Sequence, residues 1–333
     1  MRSIKVEVAI KNQIIDFLQN KVQNCRVLVI GDVMLDRYFY GNVTRISPEA
    51  PVPVNCIEKK KDTLGGAANV AHNLAKLGCQ TYLAGAIGDD HHGKLLLREL
   101  KKQSIHTEGI IVGRDKTTTK VRVLGGHQQM MRLDFEETDS IQADAEQKLR
   151  EFIDDSFANE IKAIVISDYG KGLCTEDMCQ YAIAKAKERS IPVLVDPKGN
   201  EWEKYRGASY ITPNVKETGV VLGKTLSNET DTLREAANII KKIYAVESVM
   251  ITRSEKGISI FGNEEVTIPT VAQEVFDVSG AGDTVIAGFS ACMSMQMPER
   301  FAVEFANFAA GIEVEKVGTY AVSKDDIIAK IND

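Results

Sequence analysis

The chain of 333 residues carries 41 Lys and Arg against 47 Asp and Glu, a formal net charge of −6, with 44% hydrophobic and 26% charged residues. That balance excludes a disordered or collagen-like chain, and it supplies no positive field to hold nucleic acid or an anionic membrane surface. No apolar run reaches the roughly 18 residues that span a bilayer, and Met1 to Val8 holds no apolar secretory core. The expected compartment is the cytoplasm, where six cysteines without CxxC spacing stay reduced and mostly buried.

Along the chain, Ile10, Ile14, Ile15, Phe17, Leu18 and Val22 recur near helical spacing. They predict an amphipathic helix within residues 3–23, part of an N-terminal extension (1–24) packed on a domain over 25–333. Arg26 to Gly31 is a β-branched run ending in glycine, and Ile161 to Ser167, Ile191 to Asp196 and Ser248 to Thr252 are similar. Helical patterns at Asn69 to Leu77, Gly93 to Gln103, Glu176 to Arg189 and Leu233 to Tyr244 lie between them, so the class is α/β, with a parallel sheet covered on both faces.

Two regions break the alternation. Arg37 to Ile57 contains Pro48, Pro51 and Pro53, which exclude helix and favour extended edge structure. Thr118 to Leu124 and His127 to Phe135 flank Gly125-Gly126, a hairpin signal. Together they predict a small β lid (37–57 and 116–135) over the carboxyl ends of the strands, where open α/β sheets bind ligands.

The most informative segment is Asp277-Val-Ser-Gly-Ala-Gly-Asp283, between an extended run (Thr267 to Phe276) and an apolar helix (Thr284 to Met295). Gly280 and Gly282 let backbone approach a ligand, and the free N–H groups of Ala281 and its neighbours at the helix start attract anionic oxygens. Asp283, in the first turn, is placed to take a proton from a hydroxyl attacking a phosphoryl group; the plain alternative is a glycine turn with a capping Asp. In Leu64-Gly-Gly-Ala-Ala-Asn69, Gly65 and Gly66 would admit a sugar to backbone contact, with Asn69 donating to its hydroxyls. A tight turn alone would also explain them. Asp32, just after the first strand, is the stronger of two carboxylate candidates for paired sugar hydroxyls, with Asp36 one turn later. Asn214-Val215-Lys216-Glu217 opens a helix; Asn214 and Glu217 suit either a capping box or the ordering of waters on a Mg²⁺ that bridges ATP phosphates. Spacing rejects Gly219 to Thr225 as a P-loop, Gly31 as a dinucleotide fingerprint and His91-His92 as a metal pair.

These segments together resemble the ribokinase-like carbohydrate kinases, from about Arg26 to the C-terminus. Asp277 to Asp283 is similar to that family's DTxGAGD signature, with Val278 and Ser279 as departures; Leu64 to Ala71 is similar to its glycine pair and Asn214 to Glu217 to its NxxE motif. The resemblance implies a three-layer α/β/α sandwich with a β lid. Gly31 to Tyr38, Arg45 to Pro53, Arg132 to Glu136, Ser167 to Gly172 and Val195 to Gly199 further resemble the heptose 7-phosphate kinases of ADP-heptose synthesis. That implies ATP-dependent phosphorylation of the anomeric hydroxyl of D-glycero-β-D-manno-heptose 7-phosphate, for lipopolysaccharide core or other surface heptose.

In this reading Asp283 is the base, Ser279, Gly280, Ala281 and Gly282 hold the γ-phosphoryl charge, and Asn214 and Glu217 orient Mg²⁺. Asp168 belongs to the sugar side, as do Lys171 and Arg122, which are favoured for the substrate's existing phosphate. Thr252, Ser254 and Gly257 resemble the family's nucleotide-side loop. The resemblance also implies a homodimer through paired lids, and a nucleotidylyltransferase activity that is expected to be absent from these 333 residues. A fructose 6-phosphate kinase or a non-catalytic sugar sensor on the same fold are the rival readings. Any monovalent-cation requirement and the role of the N-terminal extension stay open.

Overall fold

Arg26–Gly31 (β1) sends Val27 and Val29 into one apolar core and Leu28 and Ile30 into the other, so the strand is buried on both faces as its unbroken run predicts. The structure, a computed structural model, describes residues 10–126, 128–272, 275–316 and 318–332. β1 lies inside a nine-stranded sheet of order β13-β12-β11-β10-β9-β8-β1-β4-β5. Its other members are Gln80–Gly88 (β4), His106–Arg114 (β5), Ala163–Ser167 (β8), Val193–Asp196 (β9), Tyr210–Ile211 (β10), Ser248–Thr252 (β11), Ile258–Phe261 (β12) and Glu265–Ile268 (β13). All neighbours from β11 to β5 run parallel, and β12 and β13 add an antiparallel edge.

On one face pack α1 (residues 10–16), Ala67–Leu77 (α2), His91–Lys102 (α3), Ala281–Ser294 (α8), Glu299–Glu313 (α9) and Lys324–Asn332 (α10). Ala143–Ser156 (α4), Glu176–Lys187 (α5) and Thr230–Tyr244 (α7) cover the other, with the short Val215–Val221 (α6) at its rim. The sandwich therefore has three layers. The N-terminal segment buries Ile14, Phe17, Leu18 and Val22, and Phe17 meets Phe301 and Phe305 edge-on with centroids 5.8 and 5.2 Å away. Residues 3–9 of the helix expected at 3–23 lie outside the described residues.

The lid is a second sheet of order β3-β2-β6-β7, made of Val33–Ile46 (β2), Pro53–Gly66 (β3), Thr119–Gly125 (β6) and Gln128–Phe135 (β7). Its first hairpin is longer than the proline-marked stretch suggests: β2 starts two residues after β1, and Gly65 and Gly66 are the last residues of β3 rather than a turn. The run expected to be extended from Thr267 to Phe276 stops at Ile268, because Pro269 has no N–H to continue the ladder. Residues 273 and 274 of that run, and His127 of the hairpin, lie outside the described residues.

β1 neighbours both β4, which follows it, and β8, reached after the chain has left the lid, so strand order reverses between β1 and β8. A crevice at the carboxyl ends of the strands is expected there. The lid hairpin leaves the sheet at this same end.

Candidate active site

Two helices start side by side at the crevice, and the third residue of each meets the other. Asn69 of α2 donates its Nδ2 to Asp283 Oδ2 of α8 at 2.7 Å. Tyr169, just beyond β8, donates its hydroxyl to Asp283 Oδ1 at 2.6 Å. Asp283 is only 4% exposed, and burial pushes its carboxyl up to about 6 despite these two donors, which pull it down. Gly280 holds φ at +101°, which glycine adopts without strain; the N–H of Gly282 in the first turn of α8 has no acceptor within the helix, while the Ala281 N–H donates to Val278 O at 3.3 Å. Asp277 fixes that turn by accepting the N–H of Ser279 at 2.9 Å and of Gly318 at 3.0 Å. A buried carboxylate beside free amides suits proton removal next to a developing anion.

On the lid side, Asp36 in β2 is 4% exposed and pairs with Arg122 of β6 at 2.5 Å, and the Arg122 guanidinium lies over the Tyr38 ring at 5.2 Å. A Cβ on Gly65 would come within 2.5 Å of Asp36 Oδ2, so the glycine leaves the room that carboxylate occupies. Lys120, next along β6, has its ammonium pKa lowered by burial. Lys171 Nζ pairs with Glu136 at 2.9 Å beyond the end of β7.

Asp32 is placed differently from the expectation of a sugar-binding carboxylate. It accepts the backbone N–H groups of Tyr169 (2.9 Å), Lys171 (2.9 Å) and Leu173 (3.2 Å) and has Arg114 at 3.9 Å, so its lone pairs are committed to the loop after β8. The physical reason is the backbone: Asp32 links two strands, so Asp36 lies four extended residues on, roughly 13 Å, rather than one helical turn away. Asp168 is likewise engaged, accepting from Gly170 N–H at 2.6 Å, from the Tyr205 hydroxyl at 2.6 Å and from Lys204. Asp32, Asp168 and Cys174 bring ligand-type atoms within 4.8 Å of one another, but each carboxylate already accepts three hydrogen bonds and has a cationic side chain, Arg114 or Lys204, beside it.

Behind Gly282 lies a cavity of about 160 Å³ lined by Tyr169, Asp196, Lys198, Asn214, Glu217 and Thr252. Asn214 and Glu217 form the capping box: Asn214 Oδ1 accepts the Glu217 N–H at 2.8 Å and Glu217 Oε2 accepts the Asn214 N–H at 3.1 Å. Glu217 Oε1 also pairs with Lys198 at 3.3 Å. Asp196 ends β9, and burial, then the charges of Asp283 and Glu217, push its carboxyl well above the ordinary range. Carboxylate and amide oxygens around so small a space fit a hard divalent cation that keeps part of its water shell.

A second cavity of about 480 Å³ on the far side of Gly282 is lined by Thr252, Ser254, Gly257, Ala281 and Asn307. Val215 and Lys216 border a third, open groove with Thr252 and Ser254. The crevice thus gathers Asp283, Gly280 to Gly282, Asn69, the capping-box pair and Thr252. Sequence reasoning missed Tyr169 and Asp196, counted Lys120 only among several lid and crevice cations, and ranked Asp36 second; the signal available for Asp196 was an acid ending each of several β-branched runs.

The sequence pattern of the pfkB family carbohydrate kinases matches residues 25–326. This chain belongs to the pfkB carbohydrate kinases. The match begins where the N-terminal segment ends, so α1 is outside the family pattern. Among curated relatives, the bifunctional protein HldE of Syntrophotalea carbinolica is 45% identical over 311 residues, which are 92% of this pfkB kinase and 63% of that protein. The chain therefore spans a little under two thirds of the relative it matches. Among solved structures, phosphofructokinase-2 from Escherichia coli in complex with potassium superposes with a TM-score of 0.75 at 19% identity, covering 93% of this chain and 100% of that one. Arabidopsis thaliana ribokinase complexed with ribose and ATP gives 0.71 at 19% identity, covering 92% and 98%. Both likenesses establish the ribokinase-like fold, and the family establishes a phosphotransferase acting on a carbohydrate. Among the described residues no helix is long and apolar enough to cross a membrane.

Proposed function

We propose that this kinase transfers the γ-phosphoryl group of ATP to the anomeric hydroxyl of D-glycero-β-D-manno-heptose 7-phosphate, giving the 1,7-bisphosphate on the route to ADP-heptose. The observation that carries the reaction class is Asp283, buried between the lid carboxylate and the amides of α8. The choice of heptose is supported by the 45% identity to an HldE protein and by the long motifs of the first strand, lid and post-strand loops.

In the transfer, Asp283 takes the hydroxyl proton, the sugar oxygen bonds to the γ-phosphorus, and the bond from that phosphorus to the bridging oxygen breaks to leave ADP. The N–H groups of Gly280 and Gly282 hold the charge that moves through the γ-oxygens, while those of Ser279 and Ala281, donated to Asp277 and Val278, shape the turn that presents them. Asn214 and Glu217, joined by Asp196, would hold Mg²⁺ through its waters; when bound, the ion neutralises phosphate charge. Asp36, with Gly65, Gly66 and Asn69, takes the sugar hydroxyls, a role the commitments of Asp32 and Asp168 leave to it. Arg122 and Lys171, paired now with Asp36 and Glu136, are the cations offered to the 7-phosphate. Thr252, Ser254 and Gly257 face the adenosine half of ATP.

Ile46, Val52, Met131 and Phe135 are exposed on the lid, which supports a homodimer formed lid to lid. Both substrates are cytoplasmic metabolites, so we place the enzyme there. The test is ADP release from ATP with a panel of sugar phosphates: turnover with the heptose 7-phosphate and little with fructose 6-phosphate is expected. The reverse preference would assign the site to another sugar, and no release with any of them would leave a binding protein.

A further inference from the structure

The loop of residues 168–173 is built around one buried carboxylate. Asp32 holds three of its peptide N–H groups, and Asp168 closes the turn on Gly170. Three charge-assisted bonds on one side chain fix the backbone of residue 169 against the end of β1. From that anchored point Tyr169 reaches Asp283, placing its hydroxyl 2.6 Å from Oδ1 while Asn69 occupies Oδ2. Burial drives the phenol well above its ordinary range, so at working pH it has a proton to give and does not ionise.

We propose that Tyr169 is a positioning residue for the phosphoryl transfer, its hydroxyl keeping Asp283 ionised and aimed while Asp32 holds the loop that carries it. This rests on the reading of Asp283 as the base. Within hydrogen-bond reach of Asp283 stand the two donors, Tyr169 and Asn69. The lid contributes Asp36, which raises its pKa, and Lys120, which lowers it. Glu313 of α9 and Asp196 of β9 also feel its charge. A donor to the charged form lowers a carboxyl's pKa, so removing one raises it. The base must be ionised to accept a proton, hence the acid side of the activity profile should move to higher pH. Asn69 alone would still hold one oxygen but would leave the carboxylate free to turn about that single bond.

The test is Tyr169→Phe in the full chain, which keeps the ring and deletes the donor. The Asp283 carboxyl is titrated by ¹³C NMR without substrates, its signal identified by loss in Asp283→Asn, and kcat and KM are measured across pH. The titration midpoint and the acid limb are expected to rise together by about one unit. Turnover should fall, on the order of tenfold, at pH values below both midpoints, with KM for the sugar within about twofold. A folded variant, judged by its melting temperature, that titrates like the wild type refutes the role. Should the variant fail to fold, the wild type still decides: a slowly exchanging hydroxyl proton whose shift follows the Asp283 titration is expected, and its absence refutes the role. A wild type without kinase activity overturns the base reading as well, whereas an active wild type with an unchanged Phe variant overturns Tyr169 alone.

Discussion

Replacing Gly282 by alanine should separate function from stability, and Gly280 provides the contrast. A Cβ built on Gly282 meets nothing within 4 Å, and the residue is the second of α8, where alanine forms helix better than glycine by up to about 1 kcal/mol. The fold is therefore expected to melt at the wild-type temperature or slightly above it. Gly282 lines both the 160 and the 480 Å³ cavities, between which the proposed reaction runs the triphosphate. A methyl forced against a ligand costs roughly 1–3 kcal/mol, which becomes about a five- to hundredfold loss in kcat/KM for ATP. Gly280→Ala behaves otherwise. Its φ of +101° is strained for alanine by roughly 1–2 kcal/mol. Its Cβ would also sit 3.2 Å from Asn69 Nδ2 and 3.3 Å from Glu313 Oε1, displacing the donor to Asp283. That variant should lose about 2–5 °C of melting temperature as well as turnover. Thermal melting and initial rates against ATP concentration read both quantities. A Gly282→Ala protein that melts several degrees low, or that keeps wild-type kinetics for ATP, would refute the placement of the phosphates over the start of α8.

Asp283→Asn should lower kcat by on the order of 10² to 10⁴. It should also stabilise the fold near pH 7, because burial raises the acid's pKa from 3.8 to about 6, and keeping it ionised there costs on the order of 3 kcal/mol. That gain should fade as pH drops from 6 to 4, where the folded and then the unfolded wild type take up the proton; a destabilised Asn variant at pH 7.5 would contradict it. Wild-type turnover should decline as pH falls through about 6, seen in a kcat profile. Asp32→Ala strips three peptide N–H groups of their acceptor and takes from buried Arg114 the carboxylate beside it, leaving it only the Asp139 and Lys171 carbonyls, so a loss of about 3 kcal/mol or more is expected in denaturant titration. Asn214→Ala removes one half of the capping box, which should cost about 0.5–2 kcal/mol, while any rise in KM for Mg·ATP reports on the phosphate side separately.

The parts of the fold that declared themselves in sequence were those whose burial is written into residue type. β1, β8 and β11 are short β-branched runs inside the sheet, and α2 and α7 carry clear apolar stripes. β4 gave no such signal, since Ala84, Gly85 and Ala86 have weak strand preference and are held extended by pairing, Ala84 with both β1 and β5 and the other two with β5. In β5 the glycine at 109 exists for Phe152 of α4, whose ring would lie 2.4 Å from a Cβ there, a partner no local pattern reveals.

The site divides the same way. Gly280 to Asp283 is legible because helix start, glycines and acid are consecutive. The choice between Asp32 and Asp36 depended on whether the chain coils or extends after β1, and on backbone donors 137 to 141 positions away. Asn214 and Glu217 form the capping box that their spacing allowed, at the rim of a cavity, and the Mg²⁺ role belongs to the proposed reaction.

Asp36 and Arg122 belong to the lid sheet, whereas Asp283, the amides of α8 and the capping-box pair belong to the sandwich. In the proposed reaction, the recognition of the acceptor and the handling of the phosphoryl group are thus carried on two different sheets of the fold. Any tilt between them withdraws the sugar's anchor and its counter-ion as a unit while the base keeps both of its props. Under the proposed reaction this arrangement opposes wasteful hydrolysis of the nucleotide: with no saccharide to bridge the lid and the sandwich, a stray water finds the base but nothing to hold it in line.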